Sequence, residues 1–305
     1  MINARLIGDR DLSLDRELSS LPRGTVFVTP DNSTRTAING YFIANSAKWL
    51  PQPSYPIRVV ANFKGALKNL SRSDVTAIMD LPDTKFGRMA PFLDLVCGMP
   101  IQITQNLRTK KGVANGTMGH LRSVCFPMGT TFSQVRDPRN DTVVWIPSLR
   151  PLYAIVSLER GPHAVPICEQ GDPSLFPVFP NTEAFSKTTV DLTPNSRGEP
   201  RRFTVKIQQF PFVCAVAASV YKVQGESLQS MAVVDWKADI RGANKPQQAY
   251  LMVSRVVNRQ GFICLKPFTS AIASWSKPPA RAFEEDHRLR TISDDTLRQM
   301  GISSD

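Results

Sequence analysis

The sequence predicts an α/β protein whose alternating strands and helices are interrupted by a block of short antiparallel strands. Three observations carry that expectation. Near the C-terminus, residues 217–228 read as a small-residue helix ending at Gly225 and leading into a strand over 230–235. Residues 248–255 likewise read as a helix leading into a strand over 262–265. Between about residue 111 and residue 212, short β-rich runs alternate with Pro, Gly and Asn at the spacing of a small antiparallel barrel.

Taken in order, residues 1–22 form a charged lead-in with one helical turn at 14–21. Residues 25–29 (Thr-Val-Phe-Val-Thr) form a short buried strand. Asp31 and its neighbours supply turn and N-cap chemistry for a helix running to about Ala44. A strand over 57–63 and a short helix over 73–79 follow, and the alternation of residues 100–107 marks a half-buried strand. Asn115-Gly116 suits a tight hairpin. Strands are expected over 118–126, 142–147, 152–158 and 202–208, with a polar, Pro-rich surface loop over 169–200. Helical periodicity returns at Val213, and residues 280–299 suit one or two short surface helices.

Composition narrows the class. The 305 residues are 42% hydrophobic and 21% charged, ordinary for a globular protein with a sizeable core. The formal net charge of +11 favours polyanionic partners, because each phosphate contact releases counterions. The five cysteines (Cys97, Cys125, Cys168, Cys214, Cys264) form no C-x-x-C pair, and the three histidines fall at no metal-ligand spacing. The expectation is therefore buried free thiols in a reducing compartment, with neither zinc nor disulfides. The N-terminus lacks the apolar core of a signal peptide, and the longest apolar run, 210–220, is far shorter than a membrane span. An intracellular protein is expected, nuclear or mitochondrial if eukaryotic.

Four ordered motifs carry a resemblance. Val28-Thr29-Pro30-Asp31-Asn32 with Ile38-Asn39 is followed by Gly98-Met99-Pro100-Ile101-Gln102 through Asn106-Leu107 and Asn115-Gly116-Thr117-Met118-Gly119. Then come Gln209-Phe210-Pro211 with Ala217 to Gly225, and Gln248-Ala249-Tyr250 with Ser254-Arg255. In this order and at these distances they resemble the C-terminal part of a PIF/RecD-like superfamily-one DNA helicase. The resemblance covers about residues 1–290. Tyr221 stands where that family has His, Val223 where it has Ser, and Ser219 where it has Thr. Glu226 and the Leu251-Met252-Val253 run are further departures.

The resemblance implies a RecA-like (P-loop NTPase-type) second lobe with an inserted small antiparallel β-barrel. The implied domains are 1–110, first part of the lobe with its lead-in; 111–208, the barrel with its Pro-rich loop; 209–270, second part of the lobe; and 271–305, a tail. It implies an ATP-dependent DNA helicase core of 5′→3′ polarity. Arg255 and Gln224 are then the catalytic residues, Arg255 as the finger on the transferred phosphate. Gly225, Tyr250 and Ser254 face the nucleotide, and Thr29, Asn32, Asn39, Asn106, Ser219 and Lys222 line a single-stranded DNA track. Arg108, Lys110 and Lys111 add backbone contacts.

Other readings of single residues stand beside these. Lys222 reads equally as a helix-end charge, Gln224-Gly225 as a helix C-cap, and Arg255 as a surface arginine paired with a carboxylate. No Gly-x-x-x-x-Gly-Lys-Ser/Thr phosphate loop occurs in the 305 residues. ATP and Mg²⁺ are therefore expected only if a first RecA-like lobe is supplied in trans. Negligible ATP hydrolysis and no unwinding are expected of the chain alone. The implied partner is single-stranded DNA or RNA, with no membrane. Two alternatives are a non-catalytic single-strand-binding module and a mobile-element or truncated-gene remnant.

Overall fold

The computed structural model describes residues 21–300 except 23, 52–53, 65–70, 82, 87–88, 139, 160–171, 173, 182–187, 193, 195–198, 237–244, 276 and 278–279. The expected turn at 14–21 and most of the lead-in lie outside the described residues, as does Cys168.

The chain opens with β1 (Val26–Thr29) and α1 (Asn32–Trp49), as the strand-cap-helix pattern predicts. Asp31 is the N-cap: its Oδ1 accepts from Thr34 N at 2.7 Å and from Ser33 Oγ at 2.6 Å. These hydrogen bonds hold its carboxyl down to about 2 against the opposing pull of burial. The helix continues five residues past Ala44 and stops where Leu50 turns extended before Pro51.

Next come β2 (Ile57–Val60), β3 (Asn62–Lys64), α2 (Arg72–Met79), a 3₁₀ turn at Asp83–Phe86, β4 (Phe92–Leu95) and β5 (Pro100–Ile103). The single strand expected over 57–63 is two strands broken at Ala61, each committed to a different sheet. α2 is fixed by a capping box between Ser71 and Asp74. The strand-rich middle holds β6 (Met118–Cys125), β7 (Phe132–Arg136), β8 (Val143–Pro147), β9 (Tyr153–Leu158), β10 (Leu175–Val178), β11 (Thr188–Leu192), β12 (Arg201–Gln208) and β13 (Phe212–Cys214). The chain then runs through β14 (Ala217–Ser219), a 3₁₀ turn at Val220–Val223, β15 (Met231–Val233) and α3 (Lys245–Val253). It ends with β16 (Phe262–Cys264), α4 (Ser270–Trp275) and α5 (Ala280–Gln299).

Four sheets result. The first is fully parallel, in the order β14-β1-β15-β16. The others run β10-β9-β6-β5-β13, β11-β12-β3 and β4-β2-β8-β7, and all their pairings are antiparallel except β2 with β8. Among the described residues these sheets are open, so the strands expected to close into one small barrel are instead divided among three sheets. Burial follows the sheets. One core packs the β9-β6-β5-β13 face with Ile43 of α1, a second packs the parallel sheet with Trp236 and Met252, and a third packs β11-β12 with Ile78 and Phe86.

Several expectations are corrected. Residues 217–219 are a strand, not a helix. Ala217 and Ala218 pair in register with Phe27 and Val28, and their small side chains let α1 approach closely, so tertiary pairing overrides helical propensity. The helical periodicity read from Val213 is likewise strand β13. The loop expected over 169–200 contains β10 and β11. β10 tolerates Pro177 because it is an edge strand. Residues 280–299 are one 20-residue helix. Cys97 is exposed and Cys125 and Cys214 are only partly buried, so the expectation of buried thiols holds among the described cysteines for Cys264 alone.

Candidate nucleic-acid and nucleotide interface

The parallel sheet has two rims, and the expected site residues divide between them. Thr29 and Ser219 are paired neighbours at the C-terminal ends of β1 and β14, with Asn32 just beyond in the first turn of α1. In open parallel sheets ligands sit outside these ends. Gln224 and Gly225 lie on the segment that returns from β14 to the start of β15, and Arg255 lies on the segment leading into β16. The two segments are joined where Leu228 N donates to Arg255 O at 2.7 Å and Val257 N donates to Leu228 O at 3.0 Å. A second link runs from Gln248 Nε2 of α3 to the Tyr221 hydroxyl at 3.1 Å.

The polar groups of Thr29 at the C-terminal rim, and of Asn39 at the opposite, starting end of β14, are largely spent on the fold. Thr29 is fully buried, and its Oγ1 donates to Asp31 Oδ2 at 3.2 Å. Asn39 Nδ2 donates to the carbonyls of Cys214 and Ala217, both at 3.1 Å, while its Oδ1 accepts from Ala217 N at 2.8 Å. Cys214 ends β13 and Ala217 opens β14, so Asn39 fastens the place where the chain passes from the antiparallel to the parallel sheet. That use of both donors leaves little for a nucleic acid.

Lys222 is also committed. Its Nζ lies 3.2 Å from Asp83 Oδ2, and its carbonyl accepts from Gln102 Nε2 at 3.1 Å. Asp83 is buried and also takes both terminal nitrogens of buried Arg35. Burial alone would raise the Asp83 carboxyl, but the Lys222 ammonium and the Arg35 guanidinium outweigh it and hold the group below the ordinary carboxylate value. Lys222 is thus the second cation of a buried triad that joins α1, the 83–86 turn and the 220–223 turn.

The nucleotide-facing candidates are placed differently. Gln224 and Gly225 are exposed, Gly225 with φ at 85°, a backbone shape that favours glycine. Tyr250 is 61% exposed. The Arg255 guanidinium lies 5.8 Å from the centre of the Tyr250 ring and donates to Ser254 Oγ from Nε at 3.1 Å and from a terminal nitrogen at 2.7 Å. Among the described residues it has no carboxylate partner. Glu226 is the acid next to Gly225 in the chain. Burial, and then the charge of Glu159, push its carboxyl above the ordinary value.

Asn106 is exposed and accepts from Asn115 N at 3.1 Å, closing a small loop on which Arg108 and Lys110 are exposed and Lys111 is partly exposed. Between α1 and the β4-β2-β8 face lies an open cleft of about 1130 Å³ lined by Asn32, Tyr41 and Lys48 among others. Four of its aspartates are each held by a cation: Asp83 by Arg35 and Lys222, Asp94 and Asp137 by Arg58, and Asp141 by Arg136. Its wall is therefore closer to neutral than its composition suggests.

The sequence reading missed Arg35 and Asp83, and named Gln102 and Gln248 as motif positions without giving either a role. Arg35 and Lys222 stand 48 and 139 positions from Asp83, and no local pattern marks the triad. Among the described residues no group of His, Cys, Asp and Glu is placed to hold a metal ion, and no helix is long and apolar enough to cross a membrane.

This mixed α/β arrangement, a parallel sheet joined to antiparallel sheets, matches a RecA-like helicase fold among solved structures. A Pif1 helicase from Bacteroides, solved in complex with ADP-AlF3 and ssDNA, matches at a TM-score of 0.50 and 15% identity over 93% of this chain and 48% of that one. Bacteroides Pif1 bound to ssDNA matches at 0.49 and 14% over 90% and 47%, and Pif1 from Candida albicans at 0.48 and 16% over 94% and 56%. The chain spans about half the length of these helicases. No protein-family model matches the sequence, and no curated protein matches it.

Proposed function

We propose that these 305 residues act as the second lobe of a PIF-like helicase core, binding single-stranded DNA and presenting Arg255 to a nucleotide phosphate held elsewhere. The observation that carries this reading is the state of Arg255. It is partly exposed, steadied by Ser254 and Tyr250, joined through Leu228 to the Gln224-Gly225 segment, and without a carboxylate among the described residues. An arginine so placed can stabilise charge developing on a transferred phosphoryl group. Such a finger contributes about 10³–10⁵ in rate, but only against phosphates that something else cradles.

The residues in hand fit that single role and not the whole site, since no phosphate loop is among them. A first lobe in trans would have to supply the cradle and the Mg²⁺ ligands, and ATP then supplies the free energy for translocation. This chain's part is to hold a cation at the phosphate and to track the strand. The domain organisation we propose keeps the parallel sheet as the motor element and the antiparallel sheets as its insertion.

For the strand itself, the exposed and half-exposed groups are the better contacts. Asn32 and Ser219 lie at the C-terminal rim, Tyr41 offers an aromatic face in the adjoining cleft, and Asn106, Arg108 and Lys110 lie on the 106–115 loop. Thr29, Asn39 and Lys222 act by holding these in place. The test has two arms. Purified chain should bind a fluorescein-labelled oligothymidylate at low salt and lose it as salt rises, while hydrolysing ATP at a negligible rate. ATP turnover near ordinary helicase rates by the chain alone would refute the division of labour. Failure to bind at low salt would refute the strand-tracking role.

A further inference from the structure

Gln102 stands in the middle of β5, between the buried Ile101 and Ile103. Side chains alternate along a strand, so Ile101 and Ile103 enter the core shared with Ile43 of α1 while Gln102 points the other way. Directly opposite it on β6, Met118 packs against the core of the parallel sheet. A buried glutamine is costly unless its amide is used. Here Nε2 donates to Gly116 O at 3.3 Å and to Lys222 O at 3.1 Å. One carbonyl belongs to the 106–117 loop of an antiparallel sheet, the other to the 220–223 turn that follows β14 of the parallel one.

Both sides of this junction are braced. Within the loop, Arg108 bridges to Val113, and the Thr117 hydroxyl donates to Gly112 O at 3.2 Å while accepting from Ala114 N at 3.1 Å. A loop tied in this way moves as a body, so holding Gly116 also holds Arg108 and Lys110. Gly116 has φ at 104°, and an added Cβ would come within 2.7 Å of Glu226 Oε1. Glycine therefore lets the loop lie directly against the segment that carries Gln224 and Gly225. That segment is tied onward to Arg255, through Leu228 N and Arg255 O.

We propose that Gln102 is a positioning residue for strand binding: it clamps the basic 106–117 loop to the 220–226 segment, so that one single strand meets Ser219 at the rim and Arg108 and Lys110 on the loop in fixed register. The proposal rests on the reading of this chain as a strand-binding lobe. The Gln102 amide is neutral and buried, so it adds no charge to the track. Its effect on binding runs through the loop cations alone.

Gln102→Met keeps the side-chain size and removes the donor, and two measurements on the full chain test it. By hydrogen exchange, the bonded amides of Val113, Gly116 and Thr117 and those of Gln224 and Glu226 should exchange about tenfold faster together. In oligothymidylate titrations, the slope of log K against log salt should become shallower by up to about 1.4, as for Arg108→Ala/Lys110→Ala. Adding Gln102→Met to that double variant should change neither slope nor affinity further. Gly116→Ala strains the same seam from the loop side and should act alike, which keeps the test decisive if Gln102→Met folds poorly. Ser71→Ala, which removes the cap of α2 away from the seam, should leave the slope at the parent value. Exchange that quickens on one side only, an unchanged slope in Gln102→Met and Gly116→Ala, or a Gln102→Met effect that adds to the loop variant's would overturn the clamp. Absence of binding by the parent protein would overturn the strand-binding reading beneath it and, with it, this proposal.

Discussion

The C-terminal rim of the parallel sheet and the segment carrying Arg255 both consist of polar residues matching helicase motifs, yet they are built on opposite terms. Thr29 and Lys222 at the rim, with Asn39 at the start of β14, spend their donors inside the protein, two of them on backbone or charge partners far away in sequence. Around Arg255, the guanidinium meets, among the described residues, a hydroxyl and an aromatic ring, and Gln224 and Tyr250 face outward. A motif position thus need not be a contact. Some residues of a motif build the platform, and others remain available to a ligand.

The sharpest way to break the comparison is at Asp83. Replacing it with Ala leaves two buried or nearly buried cations without their anion, which should cost about 3–5 kcal/mol in urea denaturation. Because its folded pKa is depressed, the Asp83 contribution is fully present above the ordinary carboxyl value of about 4 and is lost as pH falls through its lower folded value. An Asp83→Ala protein should accordingly show a flatter acid-denaturation profile than the parent. A loss below about 1 kcal/mol would mean that Lys222 is free at the rim after all.

Gly261 tests the other side. It directly precedes β16 at a point where an added Cβ would collide with the Gln229 carbonyl, so Gly261→Ala must push apart the two segments that Leu228 and Val256 join. We expect a loss of about 1–3 kcal/mol by thermal unfolding, because the obstacle is backbone. Asn39→Ala should cost about 1–3 kcal/mol by leaving backbone groups at the sheet junction without partners. A neutral outcome would return Asn39 to the list of free ligand contacts. At the small end, Arg255→Ala should alter unfolding stability by no more than about 0.5 kcal/mol, as expected for a surface group reserved for a ligand. A larger loss would place Arg255 with the scaffold.

How far these roles were legible in the sequence follows the range of the interactions. The β1–α1 unit was readable because Val26 to Thr29 and the Asp31 cap act within a few residues. The two motif segments were recognisable by order and spacing, but residues 217–219 were misread as helix because alanine and serine describe small size, not the strand beside which they pack. β7 escaped notice because all five of its residues are exposed and it shows no burial alternation. Among the described residues the strands expected to form one barrel fall in three sheets, because turn spacing reveals strands without naming their partners. The Arg35–Asp83–Lys222 triad could not be read at all, since only the folded chain brings those residues together.

The central distinction between spent and available cations is tested most directly by the salt dependence of oligothymidylate binding. For single strands, log K falls against log salt with a slope of about −0.7 per phosphate neutralised. The account predicts that Arg108→Ala/Lys110→Ala makes the slope shallower by about 1.4, while Lys222→Met leaves it unchanged under conditions where the protein stays folded. A slope that survives the double variant but flattens with Lys222→Met would contradict it.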